Sequence, residues 1–149
     1  MSELQVREIY KDELEGLLRL YTQLHNNPMP ELDDRVSGIW ENIHEDPNHH
    51  IIVGTINNKI VTSCVLIIVN NLTQGQRPYA LVENVITDAE FRKRGYALDV
   101  LDFAREITQK HNCYKIMLMT GSKEESTLRF YERAGYNRND KTAFIQWLK

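Results

Sequence analysis

The chain has 149 residues, 42% of them hydrophobic and 26% charged, and a formal net charge of −3. Those values suit one soluble globular domain spanning 1–149. They exclude the overall basic excess of a nucleic-acid binder, and no apolar run approaches the ~20 residues of a membrane span.

Met1-Ser2-Glu3-Leu4-Gln5 lacks the cationic and apolar regions of a secretory leader, so a cytoplasmic protein is expected. The match to a glycosylation sequon at Asn71-Leu72-Thr73 then carries no weight. Residues 4–10 read as a first strand. Leu14, Leu17, Leu18, Tyr21 and Leu24 recur at helical spacing, with Asp12 as N-cap, Glu15 as its capping-box partner, and Pro28 and Pro30 ending the helix. A second helix is expected over 33–45, starting at Asp33 or Asp34. His50–Ile56 and Ile60–Val69 are β-branched runs joined by Asn57-Asn58-Lys59, asparagines that tolerate positive φ, which predicts a hairpin.

After a polar loop at Asn70–Pro78, Tyr79–Thr87 reads as a strand. From Gly95 the helical period returns, with Ala97, Val100, Leu101, Ala104 and Ile107 on one face and Lys110, His111 and Asn112 at the C-terminal end. Tyr114–Met119 follows as a buried strand, 124–134 as a helix capped by Gly135, and Thr142–Leu148 as an edge or hairpin strand. This order predicts a mixed α/β layer fold (α+β), with a mostly antiparallel sheet and helices on both faces.

Two features give no chemistry of their own. Cys64 and Cys113 stand far apart, without metal or disulfide spacing, and read as core thiols. His49 and His50 are adjacent and face opposite ways on a strand, and no His-x-x-x-His pair occurs, so no metal site is expected. Trp40 and Trp147 read as packing residues.

The most informative segment is Val85-Ile86-Thr87-Asp88-Ala89-Glu90-Phe91-Arg92-Lys93-Arg94-Gly95-Tyr96-Ala97. An apolar strand runs into a turn carrying Arg92, Lys93 and Arg94, and a helix opens at once. A helix start offers N–H groups without intrahelical partners, together with the positive end of the dipole, and Gly95 and Ala97 let an anion approach the main chain. The spacing is neither Gly-x-Gly-x-x-Gly nor Gly-x-x-x-x-Gly-Lys-Ser/Thr.

Arg92-x-x-Gly95-x-Ala97 resembles the acyl-CoA-binding signature of the GNAT superfamily of N-acetyltransferases. A strand at 81–87 stands before it. Leu128-Arg129-Phe130-Tyr131-Glu132-Arg133-Ala134-Gly135-Tyr136 resembles that family's second block. Together these cover roughly 80–136. Glu83-Asn84-Val85-Ile86 and Cys113-Tyr114-Lys115-Ile116 are similar to the glucosamine-6-phosphate N-acetyltransferase branch. Thr120-Gly121-Ser122-Lys123-Glu124-Glu125-Ser126 departs from that branch's shorter acidic turn.

The resemblance implies the GNAT fold and transfer of an acetyl group from acetyl-CoA to the primary amine of a small molecule, an amino sugar among the candidates. Two other readings are a catalytically silent acyl-CoA sensor and a protein or peptide N-acetyltransferase. It implies that the pyrophosphate sits on N–H groups from Arg94 through Gly95, Tyr96 and Ala97 to Leu98, near Arg92 and Lys93. Main-chain groups of Val85, Ile86 and Thr87 would pair with the pantetheine arm. Tyr131 would be the general acid. Ser126, Ser122 or Lys123 would take over a contact that relatives make with an Asn where Glu124 stands. Glu83 is expected to be the base, partly desolvated by Leu81, Val82 and Val85. The family commonly forms homodimers, and no metal, nucleic acid or membrane partner is implied.

Overall fold

The computed structural model describes residues 3–149. Five strands form one sheet in the order β1-β2-β3-β4-β5, with β1 at Gln5–Glu8, β2 at His49–Ile56, β3 at Lys59–Val69, β4 at Tyr79–Thr87 and β5 at Ile116–Leu118. The first three pairings are antiparallel and β4–β5 is parallel. Four helices complete the fold: α1 at Leu14–Tyr21, α2 at Asp34–Glu45, α3 at Tyr96–Lys110 and α4 at Glu125–Arg133. None is long and apolar enough to cross a membrane among the described residues.

Side-chain alternation along the strands builds two cores. Ile52, Cys64, Leu66, Ile68, Ala80 and Val82 meet Val100, Leu101 and Ala104 of α3, with Phe130 and Tyr131 of α4 packed alongside. Ile51, Val53, Val65 and Ile86 meet Leu17, Leu20 and Trp40 from α1 and α2 on the opposite face. The helices therefore cover both faces, as the element order predicts. Asn57 and Asn58 turn the β2–β3 hairpin at φ 50 and 66, the pair of left-handed residues that a tight hairpin needs. Asp33 caps α2 by accepting from Val36 N–H at 2.9 Å.

Several local expectations change. Asp12 and Glu15 do not cap α1. A short 3-10 turn at Lys11–Glu13 precedes it, and the Glu13 carboxylate accepts from Tyr10 N–H at 2.8 Å while gripping Arg7 at 2.7 and 2.9 Å. Glu15 pairs instead with Arg19 one turn on. Pro28 and Pro30 do not end α1. It stops at Tyr21, before the left-handed residues His25 and Asn26 at φ 54 and 53. The strand expected at Tyr114–Met119 shrinks to Ile116–Leu118 and is half-buried, because it lies at the sheet edge. Thr142–Leu148 is exposed and pairs with no strand among the described residues, so Trp147, 85% exposed, is not a packing residue among them. Cys64 is a core thiol, but Cys113 is only half-buried.

Candidate active site

The site grows from a defect in β4. Ser63 of β3 pairs with Ile86 and Val65 pairs with Glu83, so Cys64 alone stands opposite both Asn84 and Val85. This is a β-bulge, and Asn84 absorbs it at φ 51, a conformation that asparagine tolerates better than most side chains. The extra residue shifts the alternation. Before it, Val82 faces α3; after it, Val85 packs toward α3 and Ile86 toward α1 and α2.

The β4–β5 ladder runs only from Ala80–Ile116 to Val82–Leu118. Beyond Val82, the β5-facing main-chain groups of Glu83 to Thr87 have no strand beside them among the described residues. The β4–β5 ladder therefore ends just before the bulge, and Val85, Ile86 and Thr87 lie beyond it.

The chain leaves β4 through Asp88, which is buried and whose carboxylate accepts from Glu90 N–H at 3.0 Å. After a turn at Ala89–Phe91, Lys93 at φ 63 and Gly95 at φ 81 steer the loop into α3. Gly95 is there for its backbone angle rather than for lack of room, because a Cβ at that position would meet nothing within 4 Å. No side chain caps the helix, and the first bond accepted by Gly95 comes from Asp99 N–H. The N–H groups of Tyr96, Ala97 and Leu98 thus donate to no protein acceptor among the described residues.

The three cations of the loop divide their work. Arg92 Nε donates to Thr87 O at 3.2 Å, while Arg94 donates to Glu90 O at 3.2 Å and lies over the Phe91 ring. Both brace the turn. Lys93 has no hydrogen bond or ion pair among the described residues, so its charge is at the disposal of an anion. Free N–H donors, an uncommitted ammonium and open space at Gly95 fit a diphosphate.

Tyr131 projects from α4 into the α3-side core, edge-on to Phe130 and Tyr136 at 5.1 and 6.5 Å between centroids. Burial raises its phenol above the usual value, so it keeps its proton at neutral pH. Its hydroxyl makes no hydrogen bond within the described chain. Ser126, in the first turn of α4, is exposed and its hydroxyl is uncommitted, whereas Ser122 Oγ accepts from Glu124 N–H at 3.2 Å.

Glu83 departs from expectation. It is exposed, so the apolar enclosure predicted from its neighbours is absent; Val82 and Val85 turn into the α3-side core and leave the carboxylate outside it. Since it follows Val82, it points to the α1–α2 side, and Tyr131 approaches from the other. By strand alternation the two therefore belong to opposite faces of the sheet.

One residue in this region escaped the sequence reading. Tyr21 of α1 directs a buried hydroxyl toward the side chains of Asn84 and Ser63, yet makes no hydrogen bond of good geometry with either. Burial pushes its pKa up to about 12. Tyr21 falls on an apolar helical stripe, so periodicity assigned it to packing; only the bulge beneath it shows the hydroxyl to be unspent. A shallow pocket lined by Trp40, His44, Asp46, His49 and His50 lies at the other end of β2, where His49 pairs with Ile67, away from the loop. Trp40 is fixed there by its own bond to Lys11 O at 2.9 Å.

The sequence matches the Acetyltransferase (GNAT) family over residues 5–136. A glucosamine 6-phosphate N-acetyltransferase from Trypanosoma brucei brucei is 30% identical over 83 residues, 56% of this chain and 54% of that protein, so the chain spans about half the length of this curated relative. A structure from Agrobacterium tumefaciens strain C58, provisionally assigned as an acetyltransferase, superposes with a TM-score of 0.88 at 37% identity, covering 96% of this chain and 99% of that one. The glucosamine-6-phosphate N-acetyltransferase of Arabidopsis thaliana superposes at 0.85 with 20% identity and covers 99% of each chain, a likeness of fold. The family match takes in the N-terminal half, which carries neither signature, together with the loop and α4, which carry both. The chain belongs to the Acetyltransferase (GNAT) family.

Proposed function

We propose that the protein transfers the acetyl group of acetyl-CoA to the primary amine of a small molecule, with amino sugars the first class to test. The observation that carries this reading is the set of unpaired N–H groups at Tyr96, Ala97 and Leu98, beside the free Lys93 and at the end of a strand that loses its β5 partner. The branch-like segments Glu83-Asn84-Val85-Ile86 and Cys113-Tyr114-Lys115-Ile116 favour an amino sugar, as does the half-length match to a glucosamine 6-phosphate N-acetyltransferase.

Acetyl-CoA supplies an activated acyl group as its thioester. Tyr96, Ala97 and Leu98 hold the diphosphate by main-chain donors, with Gly95 giving access and Lys93 adding charge; each exposed helix-end charge contact is worth about 0.3–1 kcal/mol. The unpartnered stretch Val85–Thr87 holds the amide-bearing arm as a neighbouring strand would. An amine with a pKa near ~10 is protonated at neutral pH and must lose a proton before it can attack. Glu83 accepts that proton, and its exposure favours relay through water over direct contact. Tyr131, which holds its proton, donates to the departing sulfur from the opposite face. Free thiols at Cys64 and Cys113 suit the reducing cytoplasm.

The test incubates the protein with acetyl-CoA and a panel of amino sugars, other small amines and peptides, and follows release of free thiol. Turnover on an amino sugar above the remaining amines is the expected result. Turnover on peptides alone moves the acceptor class. CoA binding by calorimetry without turnover on any amine overturns the catalytic reading in favour of a sensor.

A further inference from the structure

Tyr21 closes α1, and its hydroxyl is shielded from solvent without a hydrogen bond of good geometry among the described residues. A phenol that has lost water and gained no partner is costly, so its surroundings must supply one. Two side chains face it, Ser63 of β3 and Asn84 of the bulge. The transfer chemistry proposed above gives none of the three a task.

The direction of the protons is set at the far end. Ser63 is fully buried, and its Oγ donates to Ile52 O at 2.8 Å, so toward Tyr21 it has only lone pairs to offer. The phenol proton then goes to Ser63, and the phenol oxygen is left to accept. Of the two facing side chains, Asn84 alone can donate to it, through its amide nitrogen. The reverse order, phenol to amide oxygen, leaves both hydroxyl oxygens with nothing to accept. A run from Asn84 through Tyr21 and Ser63 to Ile52 O uses every member, and each bond polarises the next. Asn84 is exposed and has no other side-chain partner among the described residues, so its amide is free to turn while its backbone stays at φ 51.

We propose that this run fixes which way the Asn84 amide faces, with nitrogen inward on Tyr21 and carbonyl oxygen outward beside Glu83. Asn84 meets α1, and Glu83 lies on that same face of β4 by alternation. A carboxylate and an amide oxygen then stand together as acceptors. That pair suits the protonated form of a primary amine, which offers three N–H donors and must be held before it yields one proton. Tyr21 is thus a positioning residue that acts through Asn84 on the incoming ammonium group, an assignment that rests on the acetyl-transfer reading. Val85 and Ile86 are anchored separately, one in each core, so loosening Asn84 reaches the acceptor and spares the cofactor.

Nuclear magnetic resonance on the full chain without ligands tests the geometry apart from turnover. The Asn84 side-chain amide pair is assigned by its loss in Asn84→Gly, a substitution that still permits the left-handed backbone. One proton of the pair is expected to exchange slowly with water and to shift in Tyr21→Phe. A pair indifferent to Tyr21→Phe would overturn the proposal. Kinetics with a turned-over amine test the role. Tyr21→Phe should raise KM for the amine about 3- to 10-fold, with kcat held within about twofold and CoA affinity unchanged. In the Asn84→Gly background the same substitution should add nothing, because no amide remains to be oriented. Additive effects in the double variant, or a fall in kcat with KM unmoved, would mark Tyr21 as a packing residue and defeat the assignment. Circular dichroism on each variant reports retention of the fold. Absence of turnover on every amine, with the spectral signature present, would sink the transfer reading and the ammonium site with it while leaving the hydrogen-bonded run in place.

Discussion

The two faces of β4 meet at one bulge but are built differently. On the α3–α4 face, the anion loop, the end of β4 beyond the β5 ladder and Tyr131 come from short segments whose residue types are dictated by backbone geometry and charge. On the α1–α2 face, Glu83 and Tyr21 are set by packing and by the parity shift at Asn84. On the proposed reading the first face has little freedom to vary, because a diphosphate and a thioester would demand main-chain donors and a proton donor there. The second is held by apolar contacts that many sequences satisfy, and that leaves it free to suit an acceptor.

The sharpest way to break this division is Gly95→Glu. It forces a side chain into a left-handed position and puts a carboxylate where an anion should sit, so CoA affinity should fall by at least about 100-fold, roughly 3 kcal/mol, in a folded protein. Unchanged affinity by calorimetry would remove the loop from the site. Tyr131→Phe tests the same face at the chemical step. Its kcat should drop by about 10²-fold, the lower range for a general acid, with CoA affinity held within about threefold. Since burial raises this phenol, the wild-type kcat profile should show no loss of its proton until above the ordinary tyrosine range.

On the other face, Tyr21→Phe should change KM for the acceptor by roughly 3- to 10-fold, about 1 kcal/mol, while leaving CoA affinity alone. An effect on CoA instead would mean that the two faces are not separate. Away from both, Glu13→Gln isolates stability. Its hydrogen bonds to Arg7 hold Glu13 below the ordinary 4.5, so this contribution is complete above pH 4.5 and is lost as pH falls through the lower folded value. The variant should be less stable by about 1–3 kcal/mol at neutral pH, with the difference shrinking in acid denaturation series. The smallest effect is chemical. Burial pushes the Cys64 thiol up to about 12, so a thiol reagent should label Cys113 first and Cys64 only on unfolding.

Legibility in the sequence follows the same division. Arg92, Gly95 and Ala97 before α3, and the block around Tyr131, stand out in the sequence as short local patterns, and their roles belong to the proposal above. Tyr79–Thr87 and the Asn57-Asn58 hairpin were readable because alternation and left-handed asparagines are local signals as well. Glu83 misled because its neighbours' hydrophobicity was read as enclosure, whereas a bulged strand turns those neighbours inward and the carboxylate out. Tyr21 was hidden by periodicity, which places a ring in a core but says nothing about where its hydroxyl ends. The capping of α1 was misassigned because Arg7, six residues from Glu13, decides which acid turns back to the main chain. Thr142–Leu148 is expected as an edge or hairpin strand from its alternation, but it forms no strand, because alternation gives β-proneness and not a partner, and none pairs with it among the described residues.

The extra residue opposite Cys64 has an evolutionary corollary. Removing Asn84 would leave the glycine loop and the tyrosine block intact to any pattern search, yet it would put Val85 and Ile86 out of phase with both cores. Relatives with a one-residue gap at that position therefore form a natural class to examine. They would keep every diagnostic string while losing the kink at Asn84, and on the proposed reading inactive members of the lineage should be sought among them.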